Sequence, residues 1–221
     1  MKREHTTTQS YIDWLKSLGC LVYLPLSADG DLQDRISGLS LQLTGNGSLV
    51  WDNGQQMYKV TQPTSIYQCV ANLNNGLDTQ SFPNISYTTL HTIVKITNAS
   101  NKNIKTMAPN STTENTIDAL CACFNGTSRT NQFPTGVANV AMTLNHTEGK
   151  RRFYQQGLLY GEYSEYGPYL PSNWVLNGTG LKIAQTYNTN TNSGTQYYMK
   201  EVYLFNTALD LATIRQIQGY E

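Results

Sequence analysis

The sequence predicts an all-β protein, an antiparallel β-sandwich carrying one short helix at each end. Short runs rich in β-branched and aromatic residues recur at roughly 8–12-residue spacing, the rhythm of sandwich strands. The pieces between them are heavy in Gly, Asn, Pro and Ser ("TGNG", "DNGQ", "NLNNG", "SFPN", "NASNKN", "NTNTNSG"), which is turn chemistry. No long helical pattern is interleaved with the runs, which argues against a βαβ fold.

The elements follow in order. Ser10 followed by Asp13 resembles a capping box, and Tyr11, Trp14, Leu15 and Leu18 then mark one helical face before Gly19. Strands are expected over 20–26, 39–45, 48–52, 56–60, 65–71, 88–97, 117–125, 137–145, 151–157, 180–187 and 197–205. In 88–97, Leu90, Thr92, Val94 and Ile96 share one face against Thr89, His91, Ile93 and Lys95, a half-buried, half-wet pattern. In the run from Arg151, Phe153 and Gln155 share a face with Gly157, while Tyr154 and Gln156 share the other. Asp210 is placed to cap a closing helix with Leu211, Ile214 and Ile217 on one side. No internal repeat or splitting linker appears. The division expected is an N-terminal arm and short helix over 1–19 and one sandwich domain over 20–221.

Composition narrows the function classes. Charged residues make up 14% of the 221-residue chain, and Lys/Arg and Asp/Glu balance at fifteen each, so no global field gathers nucleic acid or anionic lipid. The cluster Lys150-Arg151-Arg152 reads as a solvated hairpin turn, with a phosphate or acidic-glycan contact as the sharper alternative. No apolar run approaches the roughly 20 residues of a membrane span, and no apolar h-region follows the basic start. That leaves a protein acting inside a cell, a trimmed chain, or one leaving by another route, such as within a virus particle. Cys20, Cys69, Cys121 and Cys123 make no CxxC motif, so buried reduced thiols are favoured over a Cys20–Cys69 disulfide or a metal site. The Asn-X-Ser/Thr triplets at Asn46, Asn84, Asn98, Asn110, Asn125, Asn145 and Asn177 read as turn chemistry rather than glycan acceptors.

With those elements in place, "LVYLPLSADGDLQDRISGLSLQLTG" resembles the opening of the laminin-G-like, concanavalin A-like modules. "VANVAMTLNHTEGKRRFYQQGLLY" is similar to that family's central hairpin, with Gln156-Gly157 in the place of its Asn-Gly. "LKIAQTY" and "YYMKEVYLFNTALDLATIRQI" resemble its closing strand, Asn-turn and short helix, though Ala184-Gln185 stands where the family usually shows Gly. The region 98–136 matches nothing in it. The resemblance implies a two-sheet jelly-roll, which the strand count supports independently.

Some relatives with this fold cleave polysaccharides, which needs two carboxylates facing one another across the sugar, about 5 Å apart in retaining enzymes. No Glu-x-Asp-x-Glu run exists here, and Glu162 and Glu165, three apart, point to opposite faces of a strand. His5, His91 and His146 have no nucleophile or acid partner at a readable motif, and Glu201 reads as a residue orienting the closing strand. The expectation is therefore a non-enzyme without a resident cofactor. Asp29, Asp31 and Asp34 in a Gly-containing turn could hold Ca²⁺, but the spacing lacks the EF-hand's downstream Glu, and a plain turn is favoured.

Tyr160, Tyr163, Tyr166 and Tyr169 fall every third residue and run on to Trp174. A repeat of three lines one side only of a polyproline-like chain, and Pro168 and Pro171 suit that conformation, so an extended loop is expected. Such rings could cover the end of the sandwich, form an oligomer or partner interface, or stack on sugars. Two readings of function follow. One is a carbohydrate-binding, lectin-like module on a cell surface or outside the cell. The other is a homo-oligomeric fibre or capsid-decoration protein on the surface of a bacteriophage virion. Glycans or other virion or surface proteins are the partners expected, with no nucleic acid and no membrane insertion. A polysaccharide hydrolase or lyase is the third reading.

Overall fold

The computed structural model describes residues 8–65, 68–74, 87–97, 103–109, 121–124, 137–145, 147–163, 181–184 and 196–220. It is a two-sheet antiparallel jelly-roll sandwich with a short helix near each end, as the sequence predicts. Helix α1 (Gln9–Ser17) precedes β1 (Cys20–Leu24), and α2 (Leu211–Gln218) follows β13 (Gln196–Phe205). Between them run β2 (Gln42–Leu43), β3 (Ser48–Asp52), β4 (Met57–Thr61), β5 (Ala71–Leu73), β6 (Tyr87–Thr97) and β7 (Asn103–Pro109). They are followed by β8 (Cys121–Phe124), β9 (Val137–Asn145), β10 (Lys150–Gln155), β11 (Leu158–Tyr163) and β12 (Leu181–Ile183).

Among the described residues, the larger sheet has eight strands. Its order is β11-β10-β9-β6-β13-β4-β3, with β1 lying beside β13 as well. The smaller sheet is β2-β5-β12-β7-β8. Between the sheets lies one core, with Val22 and Leu24 of β1, Tyr58 and Val60 of β4, Leu181 and Ile183 of β12, and Tyr197, Met199, Val202 and Leu204 of β13. A second core lies on the opposite face of the large sheet. There Leu15 of α1 and Ile214 and Ile217 of α2 close over Tyr23, Ala141, Tyr154, Tyr203 and Phe205. Each of those buried aliphatic side chains contributes about 1.5–3 kcal/mol. The short helix expected within 1–19 packs Leu15 into this second core.

One strand serves both cores through a change of phase. Tyr197 and Met199 point into the inter-sheet core, and so do Val202 and Leu204, although strict alternation would send the second pair outward. The register with β6 shifts between Lys200 and Tyr203, and Glu201 takes φ 54 there. Before this bulge β13 pairs with β4, and after it with β1, while the Glu201 N–H donates to the Pro25 carbonyl at 3.3 Å. Tyr203 and Phe205 are thereby turned to the helix side. Tyr203 stacks on Tyr23 at 4.6 Å between ring centres, and its hydroxyl lies 3.3 Å from that of Tyr11 on α1. Burial pushes the phenols of Tyr11, Tyr23 and Tyr203 up, which keeps this triad neutral.

Several expectations need correcting. The cap of α1 is Thr8, whose hydroxyl accepts from the Tyr11 N–H; Ser10 lies inside the first turn and Asp13 accepts from Gln9 at 2.8 Å. Of the strand expected over 65–71, Ile66 and Tyr67 lie outside the described residues; among those described the ladder begins at Ala71, and Val70 already bonds to the Ile183 carbonyl at 3.0 Å. Strand β7 lies in the region 98–136, where no strand from Asn103 to Pro109 was expected. Its mixed sequence, with no clean alternation, still forms a strand because it pairs with β12 and β8 through backbone groups. Leu211 is exposed rather than part of the inward face of α2. The buried-thiol reading holds for Cys20 and Cys69, which are free and buried. Cys121 and Cys123 both lie on β8.

Ala184, near the place where the resembled family shows Gly, has φ 55, a conformation glycine adopts without strain. Glu201 sits in the same left-handed region, and this generates a test of the bulge. Glu201→Gly should hold or raise stability in urea unfolding. Glu201→Val, β-branched at positive φ, should lower it by about 1–2 kcal/mol.

Candidate functional site

The tyrosine-rich stretch begins on a strand rather than a loop. Leu158–Tyr163 form β11, the outermost strand described on that side of the large sheet. The register explains the mismatch with a repeat of three. Phe153 faces Gly161 while Tyr154 faces Leu159, so Tyr160 is the extra residue of a bulge and resets the alternation before Tyr163. Tyr166, Tyr169 and Trp174 lie outside the described residues.

The turn before β11 is built by two consecutive left-handed residues, Gln156 (φ 52) and Gly157 (φ 70). Two positive φ values make the type I′ turn that suits a right-twisted hairpin, and this is why Gln-Gly can replace Asn-Gly. The far helix holds this turn in place. Helix α2 starts on the Asp210 cap, as expected, its carboxylate accepting from the Thr213 N–H at 2.7 Å. It ends in a Schellman motif: Gly219 at φ 75 donates to Gln216, and Tyr220 donates to Arg215. That end aims Tyr220 at the hairpin. The Tyr220 hydroxyl donates to the Gln156 side chain and accepts from Asn139 at 2.9 Å, and Arg215 donates to the Gly157 carbonyl at 3.1 Å. A Cβ on Gly157 would stand 2.7 Å from the Tyr220 ring. Asn139, Arg215 and Tyr220 were not singled out in the sequence. The signal that could have found Tyr220 is its place directly after the helix-ending glycine.

The basic cluster is not in a turn. The turn is Thr147–Gly149, and Lys150 opens β10. Glu162 on the neighbouring strand bridges Lys150 at 2.5 Å and Arg152 at 2.7 Å, and Arg152 also reaches Glu148. These donors, Lys150 first and then Arg152, hold the Glu162 carboxyl below the usual carboxylate range. Beside this polar network Leu158 and Leu159 stand exposed, at 62% and 50%. The hairpin therefore offers a rim that is apolar at its tip and ion-paired through Lys150, Arg152 and Glu162 at its base, and the chain runs on from it into the tyrosine-rich segment.

The three aspartates of the acidic turn have separate surroundings. Asp34 is fully buried and accepts from the N–H groups of Tyr23, Ile36 and Ser37 and from the Ser37 hydroxyl, tying the loop to β1. Asp31 pairs with Arg35 and accepts from Ser27, while Asp29 is exposed. Among the described residues, no group of three His, Cys, Asp or Glu could hold a metal ion. The same loop accepts from the Tyr58 hydroxyl through Ala28 at 3.1 Å, and Trp51 packs edge-on against Tyr58 at 5.2 Å. Nearby, the N–H of Gln55 and the Tyr198 hydroxyl hold the Asp52 carboxyl down.

No family model and no curated protein matches the chain. Its fold is similar to solved structures at low identity. One is from botulinum neurotoxin type C, which depends upon interaction with two ganglioside molecules to enter cells: 14% identity, TM-score 0.59, covering 92% of this chain and 52% of that one. A second is the binding domain of botulinum neurotoxin DC in complex with rat synaptotagmin II, at 15% identity and TM-score 0.56, covering 90% and 51%. A third is the sialidase of Trypanosoma rangeli with 2,3-difluorosialic acid, at 16% identity and TM-score 0.57, covering 91% and 33%. The chain thus spans about half the length of the toxin structures and a third of the sialidase.

Gly157→Ala should destabilise the protein by about 2 kcal/mol in urea unfolding, from overpacking against Tyr220 added to left-handed strain. In a Tyr220→Ala background the cost should shrink to the backbone part, about 1 kcal/mol. Glu162, Asp52 and Asp210, the last held down by the Thr213 N–H, all have folded values below their unfolded ones of about 4. Each therefore contributes stability above that pH and loses it as pH falls through the lower folded value. The urea midpoint should be flat from pH 7 to 5 and drop below pH ~4. Asp210→Asn, which still caps, should soften that drop with little change at pH 7.

Proposed function

We propose that this chain is a non-catalytic recognition module that binds carbohydrate at the β11 rim and the tyrosine-rich segment running on from it. The observation that carries this reading is the likeness, over nine-tenths of the chain, to a toxin structure associated with ganglioside-dependent cell entry. The chemistry agrees with it. Lys150 and Arg152 on β10 are paired with Glu162 and Glu148, which favours aromatic stacking and amide hydrogen bonding as the means of recognition. Stacking of this kind gives weak single-site binding, so several copies on one surface supply the avidity. A glycan array including gangliosides and sialylated oligosaccharides is the test. Binding should appear with the purified chain and be lost in Tyr166→Ala and Trp174→Ala. An empty array, or binding that both variants retain, would sink the reading.

A second reading has its own observation. Leu158 and Leu159, adjacent on a rim strand and both exposed, favour contact with another protein. On that reading the chain is a homo-oligomeric fibre or decoration subunit on the surface of a phage particle. Sedimentation decides it: a closed oligomer that Leu158→Lys dissociates supports assembly, and a plain monomer removes it.

A further inference from the structure

The chemistry left unused by the rim lies on the other sheet. Strand β12 is interior to the five-stranded sheet, with Leu181 and Ile183 filling the inter-sheet core. Lys182, between them, must face outward by alternation. It is nevertheless only 8% exposed. Lysine is almost never enclosed to this extent without a partner. Among the described residues, Lys182 has neither an ion pair nor a side-chain hydrogen bond. At 8% exposure the four-carbon stem is enclosed.

The surroundings are built. Asn72 is directly opposite Lys182 on β5, and Gln42 is opposite Asn72 on β2. The Asn72 carbonyl oxygen is occupied by the Cys69 thiol at 3.2 Å, which orients the amide and leaves its NH₂ as the donor. Thr44 and Ile183 hold the Cys69–Val70 backbone from two sides. Burial pushes the Cys69 thiol up, and the charge of Lys182 opposes this.

We propose that Lys182 and the Asn72 amide form an anion site on the outer face of the five-stranded sheet, and that it takes the carboxylate of an acidic sugar. The assignment to a sugar rests on the carbohydrate reading above; the carboxylate site itself does not. One cation and one amide donor match the two oxygens of a single carboxylate, and the ammonium supplies the charge that makes such a bond strong. Neutral sugars gain nothing from it.

Chemical-shift titration of the ¹⁵N-labelled chain tests the site, with acetate, N-acetylneuraminic acid, galacturonic acid and neutral galactose as probes. The carboxylates should shift the Asn72 side-chain and Lys182 backbone signals, and galactose should not. Lys182→Met keeps the stem volume and should weaken carboxylate binding about tenfold or more. Asn72→Asp keeps the acceptor for Cys69 and gives Lys182 an internal partner, and it should block the site in the same way. Shifts with acetate but with neither acidic sugar leave the anion site standing and overturn its assignment to a sugar. No shift with any carboxylate, or equal shifts in both variants, overturns the site itself. An empty glycan array beside a positive acetate titration sinks only the carbohydrate reading.

Discussion

The architecture depends on one constraint: β13 must feed two hydrophobic cores on opposite faces of the same sheet. A regular strand devotes one face to each side along its whole length. Here the first half needs Tyr197 and Met199 between the sheets, and the second needs both Val202 and Leu204 inward and Tyr203 and Phe205 outward. The left-handed residue Glu201 reconciles these demands by shifting the phase, and it also marks where the neighbouring strand changes from β4 to β1. The helices find an aromatic platform because of that shift.

From this the rest of the large sheet follows. The helix layer buries Tyr23, Tyr154 and Tyr203 on one side of the sandwich, and the second helix extends the same contact to the hairpin through Arg215 and Tyr220. A surface hairpin is usually among the less stable parts of a fold. This one is held at its turn by a helix terminus and at its base by Glu162 between two cations. The rim is consequently rigid where it meets the tyrosine-rich segment, and a rigid platform loses little entropy on binding.

The two faces proposed for recognition differ in character. At the hairpin Lys150 and Arg152 are paired with acids, so the contacts proposed there are aromatic, apolar and amide in kind. On the five-stranded sheet Lys182 has an enclosed stem and, among the described residues, no ion pair, beside an oriented amide. The acidic turn belongs to neither. Asp34 uses its oxygens on three backbone N–H groups and a hydroxyl, and its place is in the loop's own architecture.

Local chemistry determined much of this protein in the sequence itself. The cap at Asp210, the limits of β3 and β9, the turn at Gln156-Gly157 and the sandwich class all follow from propensity, turn residues and spacing, which act over a few neighbours. The tertiary structure alone decided what depends on distant partners. Strand β7, without a clean alternating pattern, is a strand because β12 and β8 offer it backbone groups, and Tyr160 leaves the repeat because β10 sets the register. Lys150 and Arg152 of the basic cluster are paired with Glu162 across the hairpin, and the phase of β13 changed because two cores compete for its side chains. Lys182 in "LKI" reads as an ordinary strand lysine, and only the strands around it reveal that its stem is enclosed. Pairing and burial are sums over residues far apart in the chain, so no window of sequence contains them.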